Sequence, residues 1–285
     1  MTIRQVGIVG GGQMGGGVAE VMAKAGLSTV VREIDAAAAE RSRSGIEGSL
    51  GRALERGKLD EAGHAAALDN LSYTTELAEL ADCDLIVEAI VEDFELKAEV
   101  FAELDRVVTS PEAILATNTS SIPIIDIAMR TGRPEQVVGL HFFNPAPVMK
   151  LVEVIPSVRT SPAVIDRITG FATDVIGKTV VAAKDRAGFV VNMLLVPYLL
   201  GAMRMLEAGH ASAEDIDTGM RLGAAHPMGP LELSDLIGLD TMLLVGETLY
   251  AEYGEPSYAP PPLLKRMVAA GQLGRKTGKG FYDYG

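Results

Sequence analysis

The sequence predicts an α/β protein: a Rossmann-type, doubly wound, mostly parallel sheet over residues 1–185 with a helical insertion at about 36–68, then an all-helical domain over residues 186–285. Three observations predict it. Short β-branched runs alternate with helix-like stretches as far as about residue 185, the mark of strands joined by helical crossovers. A glycine-rich loop follows the first of these runs and opens a helix. Beyond Gly188 no convincing strand remains and long helical segments take over.

Taken in order, RQVGIV is the first strand and QMGGGVAEVMAKAG, with apolar residues at helical spacing, the first helix. STVVRE is the second strand. The stretch from Ala36 to about Leu68 reads as two alanine-rich helices with no strand, an insertion projecting from the sheet. DLIVEAI, AILATN, QVVGLHFF, LVEVI and TVVAA continue the sheet, and EDFELKAEVFAELDRVV is a helix between the first two of them. The domain boundary falls near AAKDRAG. After it, GFVVNMLLVPYLLGAMRMLEAG, SAEDIDTGMRLG, PLELSDLIGLDTMLLVGETLYAEYG and PPLLKRMVAAGQLG read as helical. Ser212, followed by Glu214 and Asp215, is a credible helix start, because acidic side chains favour the positive end of the helix dipole. A small bundle rarely covers its own apolar surface, so a homodimer through this domain is expected.

Composition narrows the classes of function. The 285 residues are 48% hydrophobic and 22% charged, ordinary for a globular chain. A net charge of −13 argues against a nucleic-acid or anionic-membrane partner, which needs a basic surface, so an anionic ligand requires a local basic cluster. One cysteine, Cys83, precludes an intrachain disulfide and reads as a packed thiol. The N-terminal residues lack a signal-peptide pattern, and the longest apolar run is interrupted by Asn192 and Pro197, so a cytoplasmic protein without a membrane span is expected.

The loop Gly10-x-Gly12-x-x-Gly15 has the strand–loop–helix context that a dinucleotide fingerprint requires. Gly10 permits the tight turn, Gly12 the approach of a pyrophosphate to the backbone and Gly15 close helix–strand packing. Glu33, at the end of the second strand, is placed to bind the ribose diol of NAD. Arg32 beside it raises the alternative of NADP, but the Glu33 carboxylate would repel a 2′-phosphate.

Hydride removal from an alcohol needs a base for the hydroxyl proton, and histidine suits it. His64, His210 and His226 each have an easy reading as surface or cap residues. His141 alone lies at the C-terminal end of a strand, the edge where open α/β sheets bind ligands. Twelve positions on, Glu153 sits between Val152 and Val154; if the chain returns as a neighbouring strand, its carboxylate would orient the His141 ring and raise its basicity. A histidine satisfied by backbone and a solvated edge-strand glutamate are the bland alternatives.

ATNTSSIPI, GLHFFNPAPVMKLVEVI, KDRAGFVVNMLLVPYL, HPMGPLELSDLIGLD and GRKTGKGFYDY together resemble the L-3-hydroxyacyl-CoA dehydrogenase family, most closely its stand-alone bacterial 3-hydroxybutyryl-CoA branch, from Gly10 to Tyr284. The resemblance implies NAD-dependent interconversion of (S)-3-hydroxyacyl-CoA and 3-oxoacyl-CoA. It implies a catalytic pair at His141 and Glu153, with Ser120 on the substrate oxygen and nicotinamide and Asn192 on the thioester-side carbonyl. For NAD it points to Gln13 and Met14 in the glycine loop, Glu33, Ala89, Glu92, Lys97, Asn118, Ser120, Asn144 and Lys276. For coenzyme A it points to Ser49 and to Arg56, which stands where the family has a lysine. Arg52 and Arg56, four apart in GSLGRALERGK, would also share one cationic helix face. No metal is implied. DRAGFVVNM departs from the family's pattern at Arg186, Ala187 and Met193, so chain-length preference does not transfer. A dehydrogenase of non-CoA hydroxy acids and a NAD-binding protein that has lost catalysis are the rival readings.

Overall fold

Eight short strands lie in one sheet: β1 (Gln5–Val9), β2 (Ser28–Arg32), β3 (Leu71–Thr74), β4 (Leu85–Glu88), β5 (Ile114–Thr117), β6 (Val137–Phe142), β7 (Leu151–Pro156) and β8 (Thr179–Ala182). They are seen in a computed structural model that describes residues 2–285. The order is β3-β2-β1-β4-β5-β6-β7-β8, and every neighbouring pair is parallel except β6 with β7. All residues of β4, β5 and β6 are buried. Helices on both faces demand such near-continuous apolar runs, and a polar side chain within them stands out. The order reverses between β1 and β4, the switch point at which sheets of this type open a crevice for ligands.

Helix α1 (Gln13–Lys24) packs its buried side, including Val18, Val21 and Met22, onto this sheet. Helices α2 (Ala36–Glu55) and α3 (Glu61–Asp69) fill the stretch read as an insertion, and each starts at an aspartate cap. Asp35 Oδ1 accepts from Ala38 N at 2.7 Å, and Asp60 Oδ1 accepts from Gly63 N at 2.7 Å. The expectation of an insertion projecting from the sheet needs correction. The chain leaves α3 directly into β3, which pairs with β2 in parallel, so α2 and α3 form a crossover packed against α1. LSYT carries little strand signal: it is four residues long, at the sheet edge, and only Thr74 is buried. Helices α4 (Phe94–Val107), α5 (Ile124–Ala128) and α6 (Pro162–Gly170) complete this unit, which spans residues 1–185.

Residues 186–285 form a second unit of five helices: α7 (Val191–Glu207), α8 (Ala213–Gly223), α9 (Pro230–Ile237), α10 (Leu239–Tyr253) and α11 (Pro262–Ala269). Leu199, Leu200, Met203, Leu231, Leu239, Leu249 and Leu264 are its core. The segment PLELSDLIGLDTMLLVGETLYAEYG is not one helix. Gly238, at φ 105°, breaks it into α9 and α10, a conformation that side chains with a Cβ rarely adopt. Ser212 caps α8, accepting from Asp215 N at 3.1 Å and donating to Asp215 Oδ2 at 2.8 Å. Two buried aspartates hold the C-terminal residues. Asp217 accepts from Leu231 N, Glu232 N and the Tyr282 hydroxyl; Asp235 accepts from Phe281 N, Tyr282 N and the Tyr284 hydroxyl. Among the described residues, no helix is long and apolar enough to cross a membrane.

Candidate active site

The turn between β1 and α1 follows the fingerprint's geometry. Gly10 has φ 89°, and a Cβ on Gly15 would lie 1.7 Å from Gly10 O, so both positions exclude a side chain. A Cβ on Gly12 would meet nothing within 4 Å, so the backbone there is open to a ligand. Gly12 is also the N-cap of α1, with no side-chain cap and no acidic residue in the first turn. The helix therefore presents uncapped N–H groups and the positive end of its dipole, the arrangement that binds phosphate. Gln13 is exposed and Met14 half-buried at this end. Glu33 follows β2, its Oε1 accepting from Gly11 N at 2.6 Å and its Oε2 from Ile34 N at 3.2 Å. Its carboxylate thus lies directly against the glycine turn. Arg32 donates its Nε to Thr75 O at 3.2 Å. Open backbone at Gly12, uncapped amides and a neighbouring carboxylate fit a dinucleotide.

His141 and Glu153 are register partners across the antiparallel β6–β7 pair. His141 Nδ1 and Glu153 Oε2 are 2.8 Å apart, both residues buried, and His141 Nε2 lies 3.1 Å from Ser120 Oγ. A carboxylate accepts only, so the pattern assigns the proton to Nδ1 and leaves the Nε2 lone pair directed at the Ser120 hydroxyl. Phe143 packs edge-on against the imidazole, with 4.7 Å between ring centres. Asn118 orients the end of β6 by accepting from Phe142 N at 2.8 Å. The other histidines lack such a partner set. His210 is exposed, His64 lies on α3, and His226 Nδ1 is 3.1 Å from the Tyr198 hydroxyl.

Ser120 is held from behind. Glu92 Oε1 accepts from the Thr119 hydroxyl (2.6 Å), Ser120 N (2.9 Å), Ser121 N (3.1 Å) and the Ser121 hydroxyl (3.0 Å). Burial pushes the Glu92 carboxyl up, but the Lys97 charge and these hydrogen bonds outweigh it and hold the group below the usual range. Lys97 is 1% exposed, its ammonium enclosed by Glu88 at 2.6 Å and Glu92 at 3.4 Å. It is an internal ion-pair partner and presents no open cationic face. Ala89 follows Glu88, with its N donating to Val9 O at 2.8 Å and its O against the glycine turn. Asp185 completes the support, accepting from Ile124 N at 2.7 Å and Ile125 N at 2.9 Å.

A cavity of about 630 Å³ extends from the glycine loop along α2. It joins Gly12, Gln13, Glu33, Asn144, Ser49 and Arg52 in one lining. Arg41 adds a second guanidinium to its wall, and the carboxylates of Glu20 and Glu33 line it as well, so both signs of charge meet in a chain of net charge −13. Arg56 is the C-cap of α2, exposed and one turn beyond Arg52, and does not line the cavity. In the second unit, Asn192 lies half-buried in the first turn of α7, and Lys276 pairs with Asp240 at 2.6 Å.

Sequence reasoning passed over Glu88, Thr117, Thr119, Ser121 and Arg41. Glu88 gave the same signal as Glu153, a lone carboxylate within an apolar run, but no histidine accompanied it. The hydroxyls of Thr117 and Thr119 are ordinary strand-end residues until their partners are seen.

A dinucleotide-binding sheet with an imidazole–carboxylate pair at its ligand edge is the arrangement of a nicotinamide-dependent oxidoreductase. Comparison with known proteins specifies it further. Residues 5–186 match the NAD-binding domain of 3-hydroxyacyl-CoA dehydrogenase, and residues 188–284 match its C-terminal domain. A 3-hydroxybutyryl-CoA dehydrogenase of Mycobacterium tuberculosis is 54% identical over 283 residues, covering 99% of each chain. The crystal structure of M. tuberculosis FadB2 superposes with a TM-score of 0.99 at 54% identity, and that of (S)-3-hydroxybutyryl-CoA dehydrogenase PaaH1 from Ralstonia eutropha with 0.93 at 44%, each covering 100% of both chains. The chain belongs to the 3-hydroxyacyl-CoA dehydrogenase family, and its first unit is that family's NAD-binding domain.

Proposed function

We propose that this protein interconverts (S)-3-hydroxybutyryl-CoA and acetoacetyl-CoA with NAD(H), using His141 as acid–base and Glu153 as its orienting partner. The observation that carries the reading is the chain Ser120 Oγ–His141 Nε2–His141 Nδ1–Glu153 Oε2, with distances of 3.1 and 2.8 Å across the two nitrogens. When bound, NAD supplies the acceptor for the hydride leaving C3 of the substrate. His141 Nε2 takes the hydroxyl proton, and Glu153 stabilises the imidazolium that results. In the reductive direction the same nitrogen returns the proton. Ser120 donates to the reacting oxygen, and Asn192 holds the thioester-side carbonyl. Glu33 accepts from the adenosine ribose diol. A 2′-phosphate there would face the Glu33 carboxylate, and Arg32 is already engaged by Thr75 O, which favours NAD over NADP. The remaining cofactor contacts are Gly10, Gly12, Gln13, Met14, Gly15, Ala89, Glu92, Asn118, Asn144 and Lys276. Ser49, Arg52 and Arg56 face the coenzyme A phosphates in this reading.

The family's substrate class is supported by the relatives' names, and the four-carbon acyl group by the M. tuberculosis and R. eutropha proteins. The protein works in the cytoplasm as a homodimer paired through the second unit, where Leu194, Leu222 and Leu244 are exposed. The test is NADH consumption with acetoacetyl-CoA, free acetoacetate and a longer 3-oxoacyl-CoA, repeated with NADPH, and light scattering for mass. Turnover on acetoacetate equal to that on its thioester, or NADPH used as well as NADH, would sink the corresponding part of the reading.

A further inference from the structure

Glu88 ends β4 with 0% exposure, flanked in the ladder by Val9 and Thr117. A carboxylate in such a place is tolerated only when its charge is paired and both its oxygens are hydrogen-bonded, and here both conditions are met. Oε1 accepts from Ile90 N at 2.7 Å and from Lys97 Nζ at 2.6 Å, and Oε2 accepts from the Thr117 hydroxyl at 2.7 Å.

Two routes lead from this carboxylate to the turn that carries Ser120. Along the first, the Thr117 hydroxyl that donates to Glu88 accepts from Thr119 N at 3.2 Å. Along the second, Lys97 reaches from Glu88 to Glu92 Oε2 at 3.4 Å, and the other Glu92 oxygen takes the four donors of residues 119–121. Glu92 sits in a loop outside the strands and helices. Lys97, fixed on Glu88, ties it to the buried end of β4. Both routes converge on a turn whose next contact is the 3.1 Å approach of Ser120 Oγ to His141 Nε2.

We propose that Glu88 is a positioning residue for the reaction, the buried hub that fixes Ser120 against His141 through Thr117 on one side and Lys97–Glu92 on the other. This rests on the reading of Ser120, His141 and Glu153 as the reacting centre. Lys97 is thereby a structural bridge in the same device. Misplacing a reacting group by about 1 Å costs up to about 100-fold in rate, and that is the scale on which Glu88 acts.

The test is a double-mutant cycle in steady-state kinetics with acetoacetyl-CoA and NADH. Glu88→Gln keeps size and removes the charge that holds Lys97. It should lower kcat and kcat/KM together by roughly 10- to 100-fold with KM little changed, the pattern of an interaction lost from the transition state. Ser120→Ala should lower kcat by itself. Adding Glu88→Gln to Ser120→Ala should cost no more than about 2-fold further, because residues acting as a unit are non-additive. A Glu88→Gln enzyme with normal kcat, or a full multiplicative loss in the double variant, overturns the proposal. If Ser120→Ala itself turned over normally, the reading of the centre fails instead. Should Glu88→Gln not fold, Thr117→Val carries the same comparison, with the same non-additivity expected and the same additive outcome overturning the inference.

Discussion

His141 and Glu153 occupy facing positions where two valines would pack at lower cost, and each makes the burial of the other tolerable. Replacing either is therefore asymmetric. His141→Gln removes the proton acceptor, and Glu153→Gln reverses the hydrogen bond, favouring the tautomer with its proton on Nε2. Each is expected to cut turnover by roughly 10²–10⁴-fold while leaving NADH binding near wild type, measured by kinetics and fluorescence titration. Glu33 is a separate case, since its carboxylate touches the glycine turn and no reacting atom. Glu33→Ala should lower the ratio of kcat/KM for NADH to that for NADPH by at least about 10-fold, checked by assaying both cofactors side by side. The pair was legible because a polar residue in an apolar run announces itself, and a second one nearby suggests company. Glu88 announced itself equally, but its partners Lys97, Thr117 and Ile90 N are assembled by the fold and leave no spacing to read.

The elements were legible in proportion to their periodicity. The glycine turn, α1 and the buried strands β1, β4, β5 and β6 carry patterns that only one kind of packing satisfies. Gly15 shows how tightly: Gly15→Ala would drive a methyl into Gly10 O, and the variant should lose cofactor affinity and melt at lower temperature, followed by calorimetry with and without NADH. The helices α2 and α3 were legible too, and their aspartate caps explain where they begin. Asp35→Ala is expected to cost about 1 kcal/mol, read from denaturant unfolding. What escaped was β3, since four residues at an edge need bury almost nothing on one face. The break at Gly238 escaped for another reason. Apolar spacing continues through it, and only the backbone angle records that the chain turns.

At the scale of the whole molecule, electrostatics sets the response to solution conditions. A chain carrying −13 repels itself, so raising salt from about 10 to 150 mM, which shortens the screening length from about 30 to 8 Å, should raise the melting temperature. Acid acts on particular groups in opposite senses. Glu92 is held low in the folded state, so its contribution to stability is present at neutral pH and lost as pH falls through that lowered value. Asp235 is pushed up by burial despite its hydrogen bonds from Phe281, Tyr282 and Tyr284, so its contribution is present at low pH and lost as pH rises through the raised value. The stability gap between wild type and Glu92→Gln should therefore close on acidification, and the gap to Asp235→Asn should widen, both measured by urea unfolding across pH 3–7 on the order of the carboxylate range.

The one antiparallel pairing in the sheet has a consequence for how such a centre can vary. Because ladder hydrogen bonds set His141 opposite Glu153, the connection from Phe143 to Lys150 does not determine their distance. Residues can be inserted at exposed Val148 without changing which side chains face each other, whereas a one-residue slip within β7 would turn Glu153 to the opposite face. Only the exposed tip of that connection is thus free to change in length, since Asn144 and the buried Ala146 at its base have work of their own, and the chemistry behind it stays in register.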